Sequence, residues 1–382
     1  MTKQPYGVYV HVPWCRRRCP YCAFYVEVDR DVPWDRFVDA LLRERTLRAS
    51  AFDGLASTLF LGGGTPSRMP PEHLARLLAG LPHTDDAEIT LETNPEDVDA
   101  TFLAAVRAAG VTRISLGVQT LDPRFAHLLN RSCTVDRAAE VLEQVRGAGF
   151  ASWSVDLIFG LPDQSPDDVL ADLERLLAAE PPHVSLYGLT IEPGTPFERA
   201  VQRGTFAPAD AETWRTMYDR IVERLASAGI ERYEVSNFAK EGHRSRHNRL
   251  YWTDAPYVGL GPSAHGYRPD GSRYANVRDA VAYLDRPDPT SEDERPTPKQ
   301  AALDLLISAL RSADGVPRSL LTRLGLAPDE RLVRALVEAN LLLDDPAALR
   351  LAHDGFALAD GLAERLWDGL VPIRGFNDAP AS

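Results

Sequence analysis

Residues 6–22, YGVYVHVPWCRRRCPYC, decide how this chain is read. The first seven, rich in valine and tyrosine, have the composition of a buried strand. Three cysteines follow at once, in the spacing Cys15-x3-Cys19-x2-Cys22, and only one more, Cys133, occurs among 382 residues. In a reducing compartment such a cluster binds a metal or carries redox chemistry rather than forming a disulfide framework. Three thiolates on one loop can ligate three irons of a [4Fe–4S] cluster and leave the fourth open to an exchangeable ligand. Spacing by itself leaves open a zinc site completed by a distant histidine, and three unconnected thiols.

Beyond this loop the rhythm of the first strand returns. Apolar runs at 57–63, 88–94, 113–119, 153–160 and 183–190 alternate with amphipathic stretches near 34–49, 71–80, 98–109, 134–148, 166–179 and 208–228. Six strand-then-helix repeats, with strands that look continuously hydrophobic, predict an α/β fold around a parallel sheet. A doubly wound sheet and an incomplete barrel both fit. The unusual polar groups favour the barrel, because they fall in or just after successive strands: the cysteine loop, Gly62–Pro66, Glu92, Gln119 and Asp156. Six repeats are too few for eight strands, so an open six-stranded (β/α)6 partial TIM barrel over 1–230 is expected.

The segment 231–285 is aromatic, polar and too irregular to be a seventh repeat, and it is expected to close the barrel. The stretch RPDPTSEDERPTPK (286–299) reads as a linker. Helical patterns at 299–312, 317–324 and 328–340, with a possible β-wing at 341–360, predict a small, mainly helical, winged-helix-like C-terminal domain over 300–376. Composition is that of a globular protein, 44% hydrophobic and 25% charged. The net charge of −13, from 55 acidic and 42 basic residues, weighs against nucleic-acid binding. No apolar stretch approaches the ~20 residues that span a bilayer. The N-terminus lacks a secretory signal's apolar core, so a cytoplasmic location is expected.

With CxxxCxxC after the first strand, Tyr21 before its last cysteine and GGGTP (62–66) after the second, the chain resembles the radical S-adenosylmethionine (SAM) superfamily. YVHVPWC (9–15), LETNPE (91–96), SLGVQT (115–120), LLNR (128–131) and VDLIFGLP (155–162) are similar in order and spacing to one branch of it. That branch holds the oxygen-independent coproporphyrinogen oxidases and the heme chaperones, and the resemblance covers roughly residues 6–270. It implies a [4Fe–4S] cluster on Cys15, Cys19 and Cys22. It also implies a SAM pocket lined by Tyr9, Tyr21, Gly63, Gly64, Thr65, Glu92, Gln119, Arg131 and Asp156. Glycines without Cβ atoms let backbone carbonyls approach the SAM ammonium group. Glu92 and Asp156 can accept hydrogen bonds from ribose hydroxyls or the ammonium, and Arg131 offers a planar fork for the carboxylate.

Three features separate chaperone from oxidase within the branch. The oxidase carries a further cysteine two residues after the third, where this chain has Ala23-Phe24; it has a longer segment before its first strand; and HNRLYW (247–252) matches the chaperones' HNxxYW signature. The expectation is a haem-trafficking protein that hands haem to an acceptor haem protein, with SAM-dependent coproporphyrinogen III dehydrogenase as the alternative. A small electron donor such as flavodoxin or ferredoxin is expected; transient membrane contact during delivery is an option that composition does not show. His247, as axial ligand, with Asn248, Tyr251 and Trp252 would form the haem site, and Arg244, Arg246 and Arg249 would meet the propionates. His265 in GPSAHGY is a second ligand candidate. His243, four residues before His247, has metal-like spacing only if the segment is helical. His11 is expected to bond within the barrel and Cys133 to be a small buried residue.

Overall fold

The computed structural model describes residues 5–29 and 31–373. Residues 1–4 and Arg30 of the expected barrel domain, and 374–376 of the expected C-terminal domain, lie outside the described residues. Six parallel strands appear where the apolar runs stand: β1 Tyr6–Val12, β2 Ala56–Gly63, β3 His83–Thr93, β4 Arg113–Gln119, β5 Ser152–Phe159 and β6 His183–Gly188. They pair in sequence order, each parallel to the next. Helices α1 Trp34–Arg48, α2 Pro71–Ala79, α3 Ala100–Ala108, α4 Val135–Gly147, α5 Pro166–Leu177 and α6 Ala211–Ser227 follow the six strands in turn. Side-chain caps start several of them: Asp99 accepts from the Phe102 N–H, Thr134 from that of Arg137, and Ser165 forms a reciprocal capping box with Asp168.

The strands are not hydrophobic on both faces. Val8, Val10, Leu59, Leu61, Leu91, Ile114, Leu116, Val155, Leu157 and Val184 form one core with the helices. The alternate positions carry Tyr9, His11, Thr58, Thr90, Glu92, Ser115, Ser154, Asp156 and Ser185, so the inner face is polar. Those inner residues align across the sheet, Glu92 with Ser115, Ser115 with Ser154, and Asp156 with Ser185.

Nor does the sheet stop at six strands. The segment after α6 supplies β7 Glu231–Arg232, β8 Asn237–Ala239, β9 Tyr257–Leu260, β10 His265–Tyr267 and β11 Arg273–Asn276. The expected linker contributes β12 Thr290–Glu294, an edge strand antiparallel to β11. Its charged, exposed residues are what an edge strand uses to avoid further pairing, and the same polarity reads as a linker in sequence. The full order is β12-β11-β10-β9-β1-β2-β3-β4-β5-β6-β8-β7, with β9 parallel to β1.

Between the two edges the chain passes under the N-terminal ends of the strands as α7, Arg246–Trp252. This floor is held by polar bonds: Arg113 donates to Ser152 Oγ and to the His243 carbonyl, His183 Nε2 meets the Tyr233 hydroxyl at 2.8 Å, and the His247 N–H donates to Glu88. Gly7 lets α7 come close, since a Cβ there would lie 2.5 Å from Leu250 Cδ1 and 3.0 Å from His247 Cε1. After α8 Ala280–Asp285 come α9 Pro298–Ala309, α10 Arg318–Arg323, α11 Glu330–Glu338 and α12 Ala359–Asp368 around a separate core that includes Leu306, Leu310, Leu321, Leu336 and Leu362. Within the expected wing, Leu342 and Leu351 pair antiparallel and Ala348–Leu349 pairs with Val316–Pro317, while a short helix, His353–Phe356, and the start of α12 take the residues beyond.

Candidate functional site

A cavity of about 590 Å³ opens at the C-terminal ends of the six strands, where side chains from successive strands converge. Cys15, Cys19 and Cys22 line one wall. A short parallel pairing of Trp14–Cys15 with Glu27–Val28 pins the cysteine loop at its base, and the Arg68 guanidinium donates to the Cys15 carbonyl at 2.9 Å. The Thr65 hydroxyl lies 3.4 Å from Cys15 Sγ. Burial pushes the Cys15 thiol up to about 11 and raises Cys22 as well, so these two thiols are neutral at pH 7 and ligation to iron, which takes thiolate, must displace their protons. Among the described residues no three His, Cys, Asp or Glu side chains converge on one point as a single ion requires. Thiols that each take a different iron of a cluster need no such point.

Gly63, Gly64, Thr65, Glu92, Gln119, Arg131 and Asp156 all line the same cavity, with Tyr21. Gly63 has φ +104°, and a Cβ there would run into the His11 imidazole. Its N–H donates to Glu92 Oε2 at 3.1 Å. Burial, reinforced by the Asp156 charge, pushes Glu92 up to about 8, while burial lifts Asp156 to about 6 against the pull of Ser185 and Arg113. Asp156 Oδ1 is buried without a hydrogen-bond partner. Two carboxylates unfavourable as free anions, one with an orphaned oxygen, fit a cationic ligand bearing hydroxyls or an ammonium, as SAM does. Arg131 donates to Asn94 Oδ1 at 2.9 Å and to the Gly117 carbonyl at 2.6 Å, fixing its fork at the rim.

Tyr9 is the exception in that expected set. It does not line the cavity but stands behind it, its hydroxyl 3.0 Å from His11 Nδ1, because its ring packs toward Phe60 inside the barrel. His11 is buried with both ring nitrogens bonded, the second to the Tyr25 carbonyl. Cys133 is half-buried and outside the cavity.

The expected haem residues separate. His247 is fully buried in the floor, Nδ1 2.8 Å from Thr58 Oγ1 and Nε2 2.9 Å from the Tyr251 hydroxyl, so neither nitrogen is left free for an iron. Sequence shows an imidazole beside aromatics but not that α7 turns it inward. Arg244 and Arg249 pair with Asp314 at the surface, and Arg246 bonds the Asp86 carbonyl. His243 precedes α7 and bonds Ser152 Oγ at 3.0 Å. Tyr251 instead lines a second cleft, which also holds His265; Asn248 and Trp252 do not reach it.

Sequence reasoning missed Asn94, Ser115, Gly117 and Tyr187, all lining the cavity. Asn94, Ser115 and Gly117 lie inside the LETNPE and SLGVQT motifs, and Tyr187 sits at the end of the sixth strand, among the strand ends that converge on the rim. The bulge between Gly117 and Gln119, with Gln119 at φ +73°, is a backbone distortion that no composition signal announces.

Fold and site together define a radical SAM protein, and the comparisons agree. The radical SAM superfamily model matches residues 9–176. The heme chaperone HemW of Mycobacterium tuberculosis is 36% identical over 96% of each chain, and that of Bacillus subtilis 31% over 93% of this chain and 97% of its own. The coproporphyrinogen III oxidase HemN of Escherichia coli superposes with a TM-score of 0.80 at 24% identity, covering 96% of this chain and 90% of its own, a likeness of fold. The chain belongs to the HemW family of the radical SAM superfamily. Among the described residues no helix is long and apolar enough to cross a membrane.

Proposed function

We propose that this chain is a cytoplasmic heme chaperone that holds a [4Fe–4S] cluster on Cys15, Cys19 and Cys22, binds SAM beside it, and passes haem to an acceptor haem protein. The observation that carries the reading is end-to-end likeness to heme chaperones, C-terminal domain included. A bound cluster, reduced by a small donor such as a ferredoxin or flavodoxin, supplies single-electron chemistry toward SAM. The chain's own residues do the rest: Glu92 and Asp156 meet the cationic ligand, Arg131 its carboxylate, and Gly63–Gly64 bring backbone close.

The test is anaerobic reconstitution with iron and sulfide, then parallel incubation with haem and with coproporphyrinogen III, SAM and a reductant. Stoichiometric haem binding and transfer to an apo-acceptor are expected, without protoporphyrinogen. Decarboxylation without haem binding would overturn the proposal in favour of the dehydrogenase.

A further inference from the structure

The cleft that Tyr251 lines is separate from the cysteine cavity. It lies between the sheet extension β9–β11, the end of α7, and helices α9 and α10 of the C-terminal domain, with a volume of about 900 Å³. That is within the roughly 300–1,000 Å³ typical of pockets for organic ligands. One wall is a run of tyrosines: Tyr251 meets Tyr257 edge-on with ring centroids 4.8 Å apart, and Tyr257 meets Tyr267 at 6.4 Å. Tyr257 and Tyr267 are register partners in the β9–β10 pairing, and His265 is two residues from Tyr267 on the same face.

His265 differs from the histidines of the barrel's inner face and floor. His11, His183, His243 and His247 each have at least one ring nitrogen bonded to the protein. His265 is exposed and, among the described residues, its side chain makes no hydrogen bond or ion pair. Its backbone is nonetheless tightly set. The turn before it has Gly261 at φ +99° and Ser263 at φ +63°. The Gly261 N–H donates to Glu44 Oε2, and Asn276 Nδ2 donates to the Gly261 carbonyl. Glu44 is itself buried and bonded to Asn276, Tyr283 and Arg48. A rigid frame thus presents an imidazole whose nitrogens are uncommitted. Across the cleft Arg323, at the end of α10, is exposed and likewise has no hydrogen bond or ion pair among the described residues. Arg273 there is paired with Asp304.

The cleft's carboxylates Asp254, Asp270 and Asp304 are each taken up, by the Tyr267 hydroxyl, Arg295 and Arg273 in turn. An aromatic wall, a free imidazole and an unpaired guanidinium then select a flat ligand with an imidazole-binding metal and carboxylates at its edge. We propose that this cleft, not the HNRLYW histidine, seats the haem: His265 is the axial ligand, Tyr257 and Tyr267 face the porphyrin, and Arg323 meets a propionate. The inference rests on the heme-chaperone reading and specifies where that function resides.

The test titrates ferric haem into the full-length, cluster-loaded protein, reading the Soret band, electron paramagnetic resonance and affinity, with iron–sulfur absorbance and circular dichroism confirming that each variant is intact. His265→Ala should shift the Soret band and change the spin state, since the axial ligand sets iron coordination. Ser308→Trp, which fills the cleft, should abolish stoichiometric binding. Arg323→Glu, a surface change that does not depend on repacking, should weaken binding about tenfold or more at low salt. If wild type binds haem but Arg323→Glu and an intact Ser308→Trp bind it equally well, the seat is wrong while the chaperone reading stands. If the cleft variants lose haem but His265→Ala keeps the wild-type spectrum, the ligand assignment falls. If wild type binds no haem, the reading beneath the inference falls with it.

Discussion

His247 Nε2 stands 2.9 Å from the hydroxyl of Tyr251, one turn on in α7, and the two rings meet edge-on with centroids 5.3 Å apart. On its far side the imidazole stacks on Phe60 and bonds Thr58, both on β2. The histidine of the HNxxYW signature is therefore a brace that ties a cleft-lining tyrosine to the barrel floor. Tyr251→Phe keeps the ring but leaves a buried nitrogen unpaired, which should cost about 1–3 kcal/mol of stability in denaturant unfolding. The haem spectrum of that variant should keep the wild-type axial signature. A change of ligand class would return His247 to the iron.

The same burial makes a pH prediction. Desolvation pushes His247 down to about 3 and His183 well below its ordinary value. In the unfolded chain both take a proton near pH 6.5, so below that pH the unfolded state binds more protons and stability falls as pH falls. Each contributes a slope of about 1.4 kcal/mol per pH unit until its folded pKa is reached. Urea midpoints at pH 7.5 and 5.5 should show the loss, and His247→Gln should make the acid slope shallower. An identical slope in wild type and variant would contradict the buried neutral imidazole.

For the cluster, replacing Cys15, Cys19 and Cys22 together by alanine should abolish iron–sulfur absorbance after anaerobic reconstitution, whereas Cys133→Ala should leave it unchanged, because Cys133 lies outside the cavity. Stoichiometric zinc without iron would reject the assignment.

SAM affinity should fall in Glu92→Ala and Asp156→Ala while the cluster persists. Each loses one charge-assisted hydrogen bond, roughly 1.5–3 kcal/mol, or about tenfold or more in the dissociation constant. Equilibrium binding to the reconstituted protein measures it. Unchanged affinity in both variants would move SAM elsewhere.

The parts of this molecule that could be read early are those where one residue's chemistry is enough. The apolar runs mark the six strands within two residues, apart from β3, which begins earlier at His83, because buried positions must be apolar on at least the helix-facing side. The cysteine loop, Glu92, Gln119 and Asp156 could be placed together because a parallel barrel brings its strand ends to one rim. What stayed hidden depends on pairing between distant segments. Thr290–Glu294 is polar like a linker and becomes a strand only because β11 offers a free edge. His247 looks like a ligand until α7 turns it onto Thr58, 189 residues away. Sequence offers His265 only as a second candidate, because its frame comes from Glu44 on α1 and Asn276 on β11, and no local pattern contains both.

Glu44 yields the last prediction. It is 1% exposed, and its two oxygens take the Gly261 N–H, Asn276 Nδ2, the Tyr283 hydroxyl and the Arg48 guanidinium. Arg48 also lies over the Tyr274 ring, 3.9 Å from its centroid, so one carboxylate joins α1, α8, β11 and the turn ahead of His265. Glu44→Ala strands a buried guanidinium, a change worth about 3–5 kcal/mol. A thermal or urea melt should register that loss. Glu44→Gln retains one acceptor and should lose less, since the amide can still take the Gly261 N–H while forfeiting the ion pair. If the frame positions His265, haem binding to the folded Glu44→Gln protein should weaken, with its Soret band broadened by a loosened ligand. A Glu44→Gln protein that is destabilised but binds haem as wild type does would make this network scaffolding for the sheet alone.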